Sequence, residues 1–323
     1  MKEVILDQHY TNEELSKNLI EQASIEFSEY DLVVEPSAGR GSFSDLIPEN
    51  KRLAFDLDPK KDYIKKQDFL SLSSLGKENG LRILFVGNPP FGYRAQGAVS
   101  FFNHCALLGA DTIAFVLPRS FRKAFVFNQL DRSFFLRKDL TIDNEMSFFH
   151  TGTSARCCFQ VWSKNSTDGC CCYETRPKKI LPKSCADLRI VSSSSVLLMM
   201  MTNNKKKKQR RDSIHPIEVA IRRTAFSSSN SKLGEVIDSS REINEIAKSN
   251  KRTQFIFFEA RNKDCVENLK LLKEDINDFC MNTTVTSPTI SGGEIIDLYS
   301  KKFLSQHISK NSNKNPDSLE SFL

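Results

Sequence analysis

In the first half of the chain, short apolar runs alternate with longer stretches in which apolar residues recur at helical spacing. Leu32–Glu35, Arg52–Phe55, Ile83–Gly87, Thr112–Leu117 and Cys158–Trp162 read as strands, being short, apolar and bounded by turn-forming residues. Between them, Asn12–Ser24 brings Leu15, Leu19, Ile20 and Ala23 onto one helical face, and Ala98–Leu108 does the same with Phe101, Phe102, Cys105 and Leu108. Strands alternating with amphipathic helices predict an α/β domain with a mostly parallel sheet over residues 1–164.

The character changes after Lys164. Cys170–Cys172, Ser192–Ser195, Met199–Met201 and Lys205–Lys208 are homopolymeric steps, which predicts that 165–212 is a low-complexity insertion or linker, largely disordered and adding no core. Order is expected to return over 213–323 as a smaller α+β region for substrate recognition or as a lid. Its expected elements are Ile214–Arg223, a strand at Thr253–Phe258 and a helix over Val266–Phe279. Ser291-Gly292-Gly293-Glu294 has the spacing of a capping box and should open a helix running through Ile295, Ile296, Leu298, Tyr299 and Phe303. Ser309–Leu323 reads as a frayed end.

Composition changes this picture little. An apolar fraction of 39% and a charged fraction of 27% in 323 residues are those of a soluble globular protein, with no apolar run long enough to span a bilayer and no signal-peptide layout at the start. The expectation is an intracellular monomer, cytoplasmic or nuclear, with no membrane contact. Its nine cysteines lack zinc-site spacing and read as reduced thiols, so no metal is expected. The net charge of +6 is carried by the second half, chiefly by the run from Lys205 to Arg211, a solvated segment rather than a basic face. A more local concentration lies at Arg119, Arg122, Lys123, Arg132, Arg137 and Lys138.

Three constellations carry candidate chemistry. In Leu32-Val33-Val34-Glu35-Pro36-Ser37-Ala38-Gly39-Arg40-Gly41-Ser42-Phe43, an apolar strand ends in an acid and enters a glycine turn, where missing Cβ atoms let a ligand approach the backbone. A helix is expected from about Phe43. The third glycine of the dinucleotide fingerprint is absent, and a plain strand-to-helix turn would look similar. About 20 residues on, Asp56 ends a second strand in Phe55-Asp56-Leu57-Asp58-Pro59, where a carboxylate can accept both hydroxyls of a ribose. Gln67-Asp68-Phe69-Leu70 offers an acid beside an aromatic, by itself a weak signal. The sharpest is Ile83-Leu84-Phe85-Val86-Gly87-Asn88-Pro89-Pro90-Phe91-Gly92. Two prolines directly after a buried strand cannot continue a ladder, and they fix a rigid turn at the strand's carboxyl end. That turn offers the Asn88 amide and the Pro89 carbonyl as acceptors for an amine, and Phe91 as a flat face.

Asn88-Pro89-Pro90-Phe91 resembles the amine-methylating signature of S-adenosylmethionine-dependent methyltransferases, and Glu35–Gly41 resembles their cofactor loop. His9-Tyr10-Thr11, placed before a helix, is similar to the segment that precedes this loop in the gamma-type adenine methyltransferases. The resemblance covers about residues 8–162 and looks closest to phage- and virus-like members. It implies a Rossmann-like, doubly wound methyltransferase sheet and S-adenosyl-L-methionine as cofactor. It assigns Thr11 to the cofactor's amino-acid end and Glu35 with the backbone of Ala38, Gly39 and Gly41 to the methionine moiety, with Tyr10, Pro36 and Leu57 as further cofactor contacts. Asp56 would meet the ribose, Asp68 and Phe69 the adenine ring.

At the reacting centre the resemblance implies that Asn88 and the Pro89 carbonyl, held by Pro90, accept the two hydrogens of a target amine while Phe91 stacks on the target adenine. The partner is then nucleic acid, DNA or RNA. Other readings of the same turn are a methyltransferase of ribosomal RNA guanine or of protein glutamine, and a nucleic-acid-binding protein that keeps the cofactor fold without turnover. Ile221–Phe226, which lacks the glycine-bearing basic strand expected of a recognition module, motivates the last of these.

Overall fold

Ile83–Val86 have no solvent exposure at all, and they form the middle of the strand on which the first sheet is centred. The computed structural model describes residues 11–75, 80–142, 156–164, 175–196, 217–224, 232–284 and 288–305. The chain divides into two units, Met1–Lys179 with Thr283–Thr286, and Ile180–Asn282 with Ser287–Leu323.

The first unit holds seven strands: β1 (Leu32–Glu35), β2 (Arg52–Asp56), β3 (Lys65–Lys66), β4 (Ile83–Gly87), β5 (Thr112–Pro118), β6 (Phe134–Thr141) and β7 (Cys157–Lys164). They form one sheet in the order β3-β2-β1-β4-β5-β7-β6. β1 to β5 pair in parallel, and β7 runs antiparallel to both β5 and β6. Strands buried on both faces read as unbroken apolar runs, which is why β4 and β5 stood out in sequence. The order reverses between β1 and β4, and open α/β sheets place their ligand crevice at the carboxyl ends of the strands flanking such a reversal.

Helix α1 (Glu13–Ala23) is capped by the Asn12 side chain, which accepts from Glu14 N–H, and buries Leu15, Leu19, Ile20 and Ala23 as the spacing requires. It ends at Ser24 in a left-handed conformation. Helix α2 (Gln96–Leu107) buries Phe101, Phe102 and Cys105, and a short α3 (Ala124–Phe127) follows β5. Trp162, fully buried in β7, meets Phe102 edge-on at 5.5 Å and Phe127 at 5.6 Å. Each such ring contributes about 0.5–1.5 kcal/mol beyond its buried area.

Three expectations need correction. No α-helix follows Phe43: the chain makes one 3₁₀ turn, Ser44–Leu46, and then extends at Ile47, the residue before Pro48, where proline disfavours helical backbone. β6 carries no clear sequence signal, because exposed Arg137 and Asp139, with half-buried Lys138 between them, hide it. The supposed linker 165–212 contributes core to both units. Arg176 is buried, its guanidinium stacked 3.8 Å over the Phe127 ring and donating to the carbonyls of Phe134 and Phe127 at 2.9 and 3.1 Å. Strand β8 (Leu188–Val191) belongs to the second sheet. Cys170–Cys172, Lys205–Arg211 and Ser309–Leu323 lie outside the described residues.

The second unit is an antiparallel sheet, β10-β9-β11-β8, with β9 (Ile217–Arg222), β10 (Val236–Ile237) and β11 (Phe255–Ala260). Alternation sends Ile256 and Phe258 into one cluster and Phe255 and Phe257 into another. The first cluster includes α5 (Lys263–Lys270), α6 (Lys273–Thr283) and α7 (Gly292–Tyr299); the second includes Ile243 and Ala247 of α4 (Ser240–Lys248). The Ser291–Glu294 capping box forms as the spacing predicts. No helix among the described residues is long and apolar enough to cross a membrane.

Candidate functional site

Glu35 is the last residue of β1 and is 2% exposed. Its Oε2 accepts from the Ser44 amide at 2.6 Å and from the Ser44 hydroxyl. Burial outweighs those two bonds and pushes its carboxyl up to about 8, so near neutral pH the group is held largely protonated.

The glycine loop crosses from Glu35 toward the end of β2 and is pinned there. Asp56 Oδ2 accepts from Gly39 N–H at 2.7 Å and its Oδ1 from Asp58 N–H at 2.7 Å, while Ala38 N–H donates to the Phe55 carbonyl at 2.9 Å. A carboxylate has about four lone-pair directions, so these two bonds orient Asp56 and still leave room for hydroxyl donors. Gly41 takes φ +80°, and a Cβ there would stand 2.4 Å from the Tyr63 hydroxyl. Tyr63 in turn donates to Asp45 Oδ1 at 2.6 Å under the Arg52 guanidinium, 3.9 Å from its ring. Burial opposes the Asp45 charge, but its bonds to Lys61 and Tyr63 hold its carboxyl below the usual range. The loop's shape is therefore set by packing from the β2–β3 connection, with only the short 3₁₀ turns Ser44–Leu46 and Glu49–Lys51 after it.

At the end of β4, Asn88 Nδ2 donates to Thr11 Oγ1 at 3.1 Å, which fixes the amide's orientation, and Ser37 Oγ donates to the Asn88 carbonyl at 3.1 Å. Ser42 Oγ donates to the Thr11 carbonyl at 2.7 Å. Through these bonds the N-terminal segment, the glycine loop and the Asn-Pro-Pro turn form one connected wall.

That wall encloses a cavity of about 370 Å³, inside the range of small-molecule sites. Thr11, Glu35, Pro36, Ala38, Gly39 and Asp56 line it, as do Asn88 and Pro90. Leu57, Asp68 and Phe69 form a further part of the lining. Gly41, Pro89 and Phe91 are absent from the lining, and Tyr10 lies outside the described residues.

Two sequence assignments change. Phe69 is 2% exposed and packs against Phe101 at 5.4 Å and His104 at 5.0 Å, so it is core with one edge toward the cavity rather than a free stacking face. The exposed apolar groups at that end are Leu57 and Leu70; Leu70, Ser42 and Gly97 were not singled out in sequence. Phe91 likewise packs in the core, at 6% exposure. An aromatic after a turn carries no sequence signal that distinguishes a buried ring from a presented one. Asp68 is exposed and caps the 3₁₀ turn Phe69–Ser71 through Leu70 N–H at 3.0 Å.

No protein-family model matches the sequence, and no curated protein is significantly similar to it. Among solved structures, the chain is similar to a proposed RNA methyltransferase from Pyrococcus horikoshii, with 16% identity over 51% of this chain and 90% of that one, at a TM-score of 0.36. It is also similar to a Thermoplasma acidophilum protein, with 16% identity over 47% of this chain and 90% of that one, at a TM-score of 0.34. At that level of likeness the α/β fold assignment rests on the chain's own strand order and pairing.

Proposed function

We propose that the cavity binds S-adenosyl-L-methionine and that the chain transfers a methyl group to the exocyclic amino group of adenine in DNA or RNA. The observation that carries this reading is the Asn88–Thr11 bond, which sets an amine-accepting turn on the wall of the same cavity that the glycine loop and Asp56 enclose. The lining fits the cofactor group by group. Buried Glu35 faces a region where a ligand ammonium would restore its charge, Asp56 can take ribose hydroxyls, and Leu57 and Leu70 offer apolar cover for a flat base.

When bound, the cofactor supplies an electrophilic methyl group on a sulfonium. The residues of this chain orient the acceptor: the Asn88 amide and the Pro89 carbonyl receive the amine's hydrogens and aim the nitrogen lone pair at the methyl carbon. In that arrangement the amine nitrogen would take the methyl group from the sulfonium sulfur, and the amine's surplus proton would leave to water. Catalysis of this kind is orientation and preorganised polarity, without a strong base.

Incubation with labelled S-adenosyl-L-methionine and separate pools of DNA, RNA and protein tests the reading, with label expected at adenine in nucleic acid. Label in protein alone, or no label despite measured cofactor binding, would overturn it.

A further inference from the structure

With Phe91 packed into the core, the ring that directly follows the Asn-Pro-Pro turn does not present a face to a substrate. Two residues on, Tyr93 is 79% exposed, and Phe125, in the connection after β5, is 67% exposed. β4 and β5 are parallel neighbours, with Gly87 opposite Phe115, so both connections leave the same carboxyl edge side by side. Gln129 ties them together: Gln96 Nε2 donates to its Oε1 at 3.0 Å, and its own Nε2 donates to the Phe125 carbonyl at 3.1 Å.

The backbone beneath Tyr93 is unusual. Arg94 and Ala95, neither of them glycine, hold φ values of +53° and +65°, and a Cβ at Gly97 would lie 2.5 Å from the Pro90 carbonyl oxygen. A strained turn persists only where its surroundings over-determine it, and such strain clusters at functional sites. Here it lifts Tyr93 off the surface, with the Arg94 guanidinium 5.1 Å from its ring. Residues 88–97 and 118–129 contain Arg94, Arg119, Arg122 and Lys123 and no carboxylate. Arg122 is paired with Asp139 at 2.7 Å, and Arg119 turns inward to the Cys157 and Ile142 carbonyls at 3.1 and 2.8 Å. Arg94 directly follows Tyr93 in sequence, and Lys123 lies two residues before Phe125.

We propose that Tyr93 and Phe125 form a stacking platform for an unpaired polynucleotide strand, Tyr93 taking the base nearest Asn88 and Phe125 a neighbouring base; this rests on the nucleic-acid reading above. Aromatic faces set among cations hold single strands by stacking, largely without regard to sequence.

Fluorescence anisotropy of a labelled mixed-sequence single-stranded oligonucleotide, as DNA and as RNA, tests the platform on the full chain. Tyr93→Ala and Phe125→Ala should each raise Kd about tenfold or more, Tyr93→Phe should stay near the parent, and a fully paired duplex should bind more weakly than the single strand. Leu107→Ala, a 78% exposed apolar position at the far end of α2, should change nothing. Cofactor calorimetry on each variant confirms folding. Unchanged Kd in both alanine variants, equal binding of the duplex, or a parent that binds no oligonucleotide would overturn the platform. Oligonucleotide binding that weakens in the variants while the parent transfers no methyl group would sustain the platform and overturn the methyl-transfer reading instead.

Discussion

Asn88 and Thr11 stand 77 residues apart in sequence and are joined by one hydrogen bond, Nδ2 to Oγ1 at 3.1 Å. Because Thr11 also receives Ser42 through its carbonyl at 2.7 Å, the segment before α1 is part of the wall that aims the Asn88 amide. Asn88→Ala should lower methyl transfer about a hundredfold, the scale for one preorganised polar group, and leave cofactor affinity close to the parent. Turnover measured beside calorimetry separates the two. Parallel loss of both would mean that the turn had collapsed.

Glu35 should leave a signature in the pH dependence of folding. Burial raises its carboxyl from an ordinary value near 4.5 to about 8, so between those limits the folded chain holds a proton that the unfolded chain has released. Its contribution to stability is therefore full below about pH 4.5 and is lost as pH rises toward 8, with a slope of up to about 1.4 kcal/mol per pH unit. Glu35→Gln should flatten that part of the profile, as read by denaturant unfolding at a series of pH values. A profile unchanged by the substitution would remove Glu35 as its source.

Asp56 holds two backbone amides, so its loss should act on the loop as well as on a ligand. Asp56→Ala should weaken cofactor binding by about 1–3 kcal/mol, whereas Asp56→Asn, which keeps one acceptor oxygen, should fall between. Calorimetry that finds all three proteins equal would take Asp56 out of the binding site.

Gly41→Ala should destabilise the first unit by about 1–3 kcal/mol, through its positive φ and its collision with the Tyr63 hydroxyl. Removing that hydroxyl relieves only the collision, so Gly41→Ala with Tyr63→Phe should cost less than the sum of the single changes. A double-mutant cycle by chemical denaturation measures the coupling, and strict additivity would show that the two groups do not meet.

Leu188 should matter in the second unit despite its low-complexity surroundings. At 1% exposure in the strand beside β11, Leu188→Ala should cost about 2–5 kcal/mol, and replacing all of 165–212 by a flexible linker should unfold that unit. Thermal melts of both variants check this; a full-height, unshifted transition after the replacement would show β8 to be dispensable.

What could be read in advance follows from where the determining forces act. Ile83–Val86 and Thr112–Leu117 are buried on both sides, so their apolar runs announce strands without outside help, and Asn12 caps α1 with its own side chain. β6 borrows its order from β7 and shows solvent Arg137 and Asp139, so its own sequence carries little signal. Leu188 and Ile190 were masked by neighbouring homopolymeric tracts. In the site, Glu35 and Asp56 were legible because they end strands, and Asn88 because it directly follows one. The burial of Phe69 and Phe91 was not, since it depends on what packs against them from distant parts of the chain.

The position of β7 between β5 and β6 governs when this sheet can close during synthesis. β6 leaves the ribosome before β7, yet among the described residues its one neighbour in the sheet is β7, and β5 has an open edge until the same strand arrives. A nascent chain that stops short of Cys157 thus carries seven residues of β5, all buried in the finished protein, along an unpaired border. Such borders invite pairing with other chains, so the growing polypeptide is at greatest risk of aggregation just before β7 slots into place.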